Sequence, residues 1–474
     1  MTNLVKKVNK AILLSFLSIA ILGCTTKLTT LSSEPQTVAS KSFSESLNNN
    51  VLVRFKNKLS ENELGNLNKG FNIKKFQMLS NDLNIASIEL NDKTSKQKLK
   101  AEYEKNNLVK YVEDDEIINI PPYTVYPAEK QDAFSIKAEA YKPNDPLYSL
   151  QWSMKDIGVD KAWSITKGSP NIVVAVIDSG VDPNHPDLVD NLLPLIDIWN
   201  QFDKDGDIYV SKTQTINFSG KDGNGHGTHV TGIIGARIDN AKGISGVAGN
   251  VKILPIKAAN HEGSTSAAIL TKSILVAIDN KVNVINMSIG GPKPEGTKAL
   301  IDAVNLAIDK NIVFVSASGN ESNRKSNRIT DITVPAAYSR VISVAANTKF
   351  DKVANYSNGG EEIEITAPGG GSRSDEGEQI YSTWPTYLTY ESIDTGIKNY
   401  SWLAGTSMSS AFVSATAALI LTKEPNLTPA QVKIRLLSTA TDIEQVGFDE
   451  ATGYGKINVY NALTTTTDDF KVKE

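Results

Sequence analysis

Apolar positions along this chain fall into two regimes. Between residues 50 and 118 they come in short runs: Val51 to Phe55, Phe71 to Phe76 and Ile85 to Leu90 read as strands, while Leu108 to Ile118 is extended. Glu61 to Lys69 and Thr94 to Lys105 carry helical spacing, so a β-α-β-β-α-β order predicts a small ferredoxin-like α+β unit. From about residue 170 the runs become apolar throughout: Ile172 to Ile177, Val251 to Ile256, Val282 to Ile289, Ile312 to Ser316, Val341 to Ala345 and Ile363 to Thr366. Strands apolar on both faces, with helical segments between most of them, predict an α/β domain with a doubly wound parallel sheet. In such sheets reactive residues gather at the carboxyl ends of strands. No internal repeat interrupts the pattern.

The remaining segments lack periodicity. Residues 25–47 are rich in Ser and Thr and read as a tether, and residues 119–145 carry Pro121, Pro122, Pro127 and Pro143 and read as a linker. At the start, Lys6, Lys7 and Lys10 precede an apolar run from Ala11 to Leu22 that is too short to span a bilayer, which predicts a secretory leader. The expected division is a leader at 1–23, a tether at 24–47, the α+β unit at 48–118, the linker at 119–145 and the α/β domain at 146–474.

Composition narrows the function classes. A hydrophobic share of 40% in 474 residues supplies full cores, and a net charge of −4 without basic runs offers no electrostatic footprint for nucleic acid. Cys24 is the single cysteine, so no disulfide forms within one chain. It is either a spare thiol in a discarded leader or a modified residue. The run I-L-G-C resembles a bacterial lipobox, which implies a lipid on Cys24 and a lipoprotein precursor in the cell envelope.

Three distant segments carry reactive groups: V-I-D-S-G-V-D around Asp178, G-H-G-T-H-V around His226 and G-T-S-M-S-S around Ser407. A serine hydroxyl needs an imidazole to take its proton and a carboxylate to hold that imidazole, and these three residues fill those roles. Plainer readings exist for each. Asp178 and Ser407 are also suited to capping helices, and His226 with His229 sits at a spacing that could hold a metal. Only two other histidines, His185 and His261, are available to complete such a site.

The order Asp, His, Ser and the residues flanking each one resemble the subtilisin-like serine proteases, or subtilases, over roughly residues 146–463. The resemblance implies that the α+β unit is an inhibitory propeptide, that processing falls within 119–145, and that the substrates are proteins or peptides. It implies that Asn320 donates to the oxyanion. Gly263 and Ser264 on one side, with Ser288, Ile289 and Gly290 on the other, then hold the substrate as an added strand. Ala317 and Gly319 wall a pocket for the residue before the scissile bond, with Glu321 at its mouth and Thr333 toward its base. A structural calcium ion is implied at Gln151, Asp187 and Asn240, with carbonyls of Ile238, Lys242 and Ile244. Asp203, Asp205 and Asp207 form either a solvated acidic turn or a weak calcium site. One departure is Ala411, where the family usually has proline. Two rival classes remain, a binding protein on a protease fold and an esterase; the latter lacks G-x-S-x-G at Ser407.

Overall fold

Residues 49–126, 140–203, 205–211, 214–291, 297–371 and 379–466 are described by a computed structural model. The expected leader, the tether and Cys24 lie outside them. No helix among the described residues is long and apolar enough to cross a membrane.

The N-terminal module follows the order read from its periodicity. Strands β1 (Asn50–Phe55), β2 (Ile73–Ser80), β3 (Ile85–Leu90) and β4 (Val109–Asp114) form an antiparallel sheet in the order β2-β3-β1-β4. Helix α1 (Glu61–Asn68) starts at a capping box between Ser60 and Glu63, and α2 (Lys93–Tyr103) starts where Asp92 accepts from Ser95 N. Strand alternation splits the apolar residues between two faces. Val51, Val53 and Phe55 join Ile88, Leu99 and Tyr103 in the module's own core. Leu52, Leu79 and Ile85 point the other way, into a core shared with the larger domain.

That domain is built on seven parallel strands: β7 (Val173–Asp178), β8 (Ile196–Asp197), β9 (Lys252–Lys257), β11 (Val284–Met287), β12 (Val313–Ala317), β13 (Ile342–Asn347) and β14 (Ile365–Pro368). Their order is β14-β13-β12-β11-β7-β9-β8. The centre of the sheet shows why these strands lack polar alternation. Val174 and Val176 of β7 enter the core on one face, and Ala175 and Ile177 enter the core on the other. Helix α4 (Ala267–Asp279) and helix α5 (Lys298–Asp309) cover the face shared with the N-terminal module. Helix α6 (Thr406–Lys423) covers the opposite face and is buried from Thr406 to Leu421, as a helix of small and apolar residues all round requires.

Part of the segment expected to be a linker forms strands. Ile117–Asn119 forms β5, which pairs antiparallel with β10 (Ser264–Ser266), and Thr124–Tyr126 forms β6. Strand β6 adds to an antiparallel pair, β15 (Ile380–Thr383) and β16 (Tyr400–Ala404). Prolines favour extended backbone, so the composition that reads as a linker also suits a strand once other segments supply its partners.

Two carboxylates join the modules. Glu113 accepts from the backbone N–H groups of Lys298 and Ala299, and Asp115 accepts from Ala268 N at 2.9 Å and Ser266 Oγ at 3.2 Å. Both helix starts, α5 and α4, therefore find acceptors on the N-terminal module, where orphan N–H groups favour negative charge.

Candidate active site

Three element ends deliver the reactive side chains. Asp178 is the last residue of β7, His226 opens helix α3 (His226–Gly235), and Ser407 sits in the first turn of α6, all three fully buried. Gly225 must be glycine at the turn into α3. Its φ is +108°, and a Cβ there would lie 2.2 Å from the Trp384 ring.

His226 Nδ1 stands 2.8 Å from Asp178 Oδ1, which also accepts from Ser179 N at 2.8 Å. A neutral imidazole held in this way donates through Nδ1 and presents Nε2 as the base. Among the described residues His226 Nε2 has no hydrogen-bond partner, and Ser407 Oγ donates to the Ser288 carbonyl at 3.4 Å. His229, the other half of the possible metal pair, turns away. Its Nε2 lies 3.2 Å from the carbonyls of Ile380 and Ser401, and burial followed by the charge of His226 lowers its pKa to about 3. It is a neutral packing residue.

Asn320 lies beyond β12 and faces the start of α6. Its Oδ1 accepts from Thr406 N at 2.9 Å and Thr406 Oγ1 at 2.8 Å, which aims Nδ2 away from the helix. That Nδ2 donates at 2.8 Å to the carbonyl of Pro122. A donor fixed by two bonds on its other end and turned toward a peptide carbonyl suits stabilisation of developing negative charge on that oxygen.

The expected substrate rims come together around the segment that contains Pro122. Ser264 pairs with Asn119, the Gly263 carbonyl accepts from Ile120 N at 2.9 Å, and Gly290 N donates to the Asn119 carbonyl at 3.2 Å. Ile289 is buried beneath the second rim, and Ser288 Oγ is 2.9 Å from Ser410 Oγ. Tyr123 then lies over the imidazole, its ring centroid 4.9 Å from that of His226, with its hydroxyl bonded to Asn224. Ala317 is buried at the end of β12. A Cβ on Gly290 would meet Thr333 Oγ1 at 2.6 Å, and one on Gly319 would meet Thr333 Cγ2 at 2.9 Å. Thr333 thus fills the space between the two glycine walls, with Glu321 bonded through Asn358 beside it.

Several polar residues behind Asp178 escaped the sequence reading. Asp222 accepts from Ser179 Oγ, Gly225 N and Thr228, so it ties the start of α3 to the end of β7, and burial raises its pKa. Its place just before the G-H-G-T-H motif was the available signal. Lys257, fully buried at the end of β9, donates to the carbonyls of Ser179 and Ala259 and forms a 2.8 Å ion pair with Asp207. Asp207 Oδ1 is also 2.5 Å from His261 Nδ1. Burial pushes the Asp207 carboxyl up, but Lys257 and His261 more than offset it and hold it at about 2. This pairing bears on the acidic turn. Asp207 is buried and committed to Lys257 and His261, Asp203 is half-buried and accepts from Asp205 N, and only Asp205 is exposed, so the three carboxylates do not line one shared ligand face.

The residues expected to hold calcium do converge. Asp187 Oδ1 is 3.0 Å from Asn240 Nδ2, and its Oδ2 accepts from Ile244 N and Tyr400 OH. Gln151 bonds both the N–H and the carbonyl of Ser245, and Asn240 Oδ1 accepts from Lys242 N. Ile238 is buried at the start of the same loop. Asp145 is also buried here and binds the N–H groups of Asp239 and Asn240; burial, with the charge of Asp187, raises its pKa. Neither Asp145 nor Asp187 has an ion-pair partner among the described residues. Two buried carboxylates that no described cationic side chain neutralises, beside amide oxygens, are a donor set that suits a hard divalent ion.

Comparison with known proteins is consistent with this geometry. Residues 169–455 match the subtilase family, a peptidase family, and residues 32–114 match the fervidolysin N-terminal prodomain. A thermophilic serine proteinase of Bacillus sp. (strain AK1) is 34% identical over 69% of this chain and 70% of its own length. Thermitase of Thermoactinomyces vulgaris is 32% identical over 68% of this chain and 99% of its own. The crystal structure of fervidolysin from Fervidobacterium pennivorans, a keratinolytic enzyme related to subtilisin, superposes with a TM-score of 0.71 at 28% identity. That match covers 88% of this chain and 61% of the fervidolysin chain.

Proposed function

Because this chain belongs to the subtilase family of serine peptidases and carries an N-terminal prodomain, we propose that it is an envelope-targeted zymogen of an endopeptidase with Ser407 as nucleophile. His226 accepts the Ser407 proton through Nε2 and returns it to the leaving amine, Asp178 holds the imidazole through Nδ1, and Asn320 donates to the oxyanion. The observation that carries this reading is the buried 2.8 Å contact of His226 with Asp178, beside a peptide carbonyl that Asn320 binds at 2.8 Å. Substrate recognition runs through backbone pairing on the rims of Gly263–Ser264 and Ser288–Gly290, which admits many sequences. Thr333 shortens the pocket next to the scissile bond, favouring small and medium side chains there.

Calcium is proposed at the Asp187 loop, with Gln151, Asn240 and the carbonyls of Ile238, Lys242 and Ile244 as its other ligands. When bound, it stabilises the fold by binding only the folded state. Lipid attachment at Cys24 rests on the I-L-G-C sequence alone. A lipid there would sit on the prodomain side of any activating cut, so maturation would release the catalytic domain from the membrane.

Membrane fractionation with N-terminal sequencing of the active species tests these points together. The expected result is a membrane-bound precursor beginning at Cys24 and a released active form beginning beyond residue 119. An active form that stays membrane-bound and begins at Cys24 would refute release. Failure of the released form to hydrolyse casein, or to take a fluorophosphonate label on Ser407, would refute the peptidase reading.

A further inference from the structure

The chain that crosses the reaction centre is its own. Ile117–Tyr126 enters between the two substrate rims and leaves along β16, so it occupies the cleft on both sides of Ser407. Ile118 and Ile120 are buried as a bound substrate's side chains would be. The register of this strand can be followed to the nucleophile. Asn119 is bridged antiparallel to Gly290. In antiparallel pairing the residue two further along one strand faces the residue two back on the other, so Pro121 faces Ser288.

At that position an ordinary residue would donate its backbone N–H to the Ser288 carbonyl, and proline has none. The Ser288 carbonyl is met instead by Ser407 Oγ, at 3.4 Å. One residue on, it is the Pro122 carbonyl, not that of Pro121, that Asn320 Nδ2 holds. The rims therefore present one peptide bond while the oxyanion donor grips the next. Neither bond has both its N–H side anchored and its carbonyl in the hole, and Tyr123 covers the imidazole beyond them.

We propose that Ile117–Tyr126 is a substrate-mimicking strap that Ser407 cannot cut, because the Pro121–Pro122 pair withholds the N–H that the Ser288 carbonyl would bind and shifts the carbonyl in the hole by one residue. The first activating cut therefore falls outside this segment, and inhibition by the strap outlasts that cut until the segment dissociates. The proposal rests on the peptidase reading given above and goes beyond it by assigning the block to two side chains.

The test uses matured enzyme and two synthetic peptides spanning residues 115–126, one native and one with Pro121→Ala and Pro122→Ala. The native peptide is expected to compete with a fluorogenic peptide substrate and to remain intact by mass spectrometry. The double variant is expected to be cut after residue 121 or 122 at least about ten-fold faster than any cut in the native peptide, the scale of one restored hydrogen bond in the transition state. In the full-length chain, N-terminal sequencing of the first product should place its start outside 117–126, and the double substitution should move the first cut to residue 121 or 122. Cleavage of the native peptide between residues 121 and 123, or a first cut there in the native chain, would overturn the proposal. So would a double-variant peptide that stays intact, or a native peptide that does not compete. Casein hydrolysis by the same preparation separates these outcomes from failure of the peptidase reading itself.

Discussion

Asp115 makes docking of the prodomain depend on pH with an unusual sign. It is buried between the modules, and burial outweighs the bonds from Ala268 N, Ser266 and Asn50, so its pKa rises from an ordinary 3.8 to about 6. A carboxylate whose docked pKa is raised favours the docked state when protonated, so its contribution weakens as pH climbs from about 4 to about 6. At about 1.4 kcal/mol per unit, the charge on Asp115 disfavours docking at pH 7.5 by about 3 kcal/mol relative to the neutral group, and by about half that at pH 5. The prodomain should therefore inhibit the matured enzyme about ten-fold more tightly at pH 5 than at pH 7.5 through this group alone. Inhibition constants measured at each pH against a fluorogenic peptide remove the enzyme's own pH–rate profile. Asp115→Asn keeps an acceptor for Ala268 N but cannot titrate, and it leaves Glu113, which burial also raises, in place. The reasoning is refuted if native and Asp115→Asn prodomains follow parallel pH curves.

Four further outcomes are expected. Asn320→Ala should lower kcat by about 10²–10³ with little change in KM, the loss the same type of donor gives in subtilisin; near-normal turnover of a peptide substrate would remove Asn320 from the hole. Lys257→Met leaves Asp207 buried without its cation and should destabilise the chain by about 3–5 kcal/mol in urea unfolding. Thr333→Gly should enlarge the pocket and raise kcat/KM for peptides with Phe or Tyr before the scissile bond relative to those with Ala. Chelation should lower the melting temperature, added calcium should raise it again by restoring about 2.7 kcal/mol of stability at a hundred-fold excess over Kd, and Asp187→Ala should abolish the response.

Much of the central sheet was legible because each buried strand is a continuous apolar run, as Val173 to Ile177 is. The reactive triad was legible because its glycines and small residues are forced by close approach, as at Gly225 against Trp384. What stayed hidden depends on distant partners. Strands β15 and β16 mix Tyr, Ser, Thr and Trp in runs too short and irregular to signal a sheet, and they are fixed by pairing Ile380 with Leu403 across more than twenty residues. The acidic turn at Asp203–Asp207 read equally as a solvated turn or a weak calcium site because nothing local shows that Asp207 reaches Lys257, fifty residues on. Proline content alone could not distinguish a linker from a strand threaded between rims contributed by residues 263–290.

The burial of α6 has a consequence for how this enzyme fails. Two of its hydroxyls are tied inward, Ser409 to the Ala367 carbonyl and Ser414 to Asn286, and Thr416 bonds the Phe412 carbonyl one turn back. The nucleophile thus stands on an element with few routes to local opening, and the amides of its buried turns should exchange with solvent only when the whole domain unfolds. Heat would then erode the surface loops first and leave the chemistry intact until the fold collapses at once, so partial activity in a warmed sample would mean fewer working molecules and not slower ones.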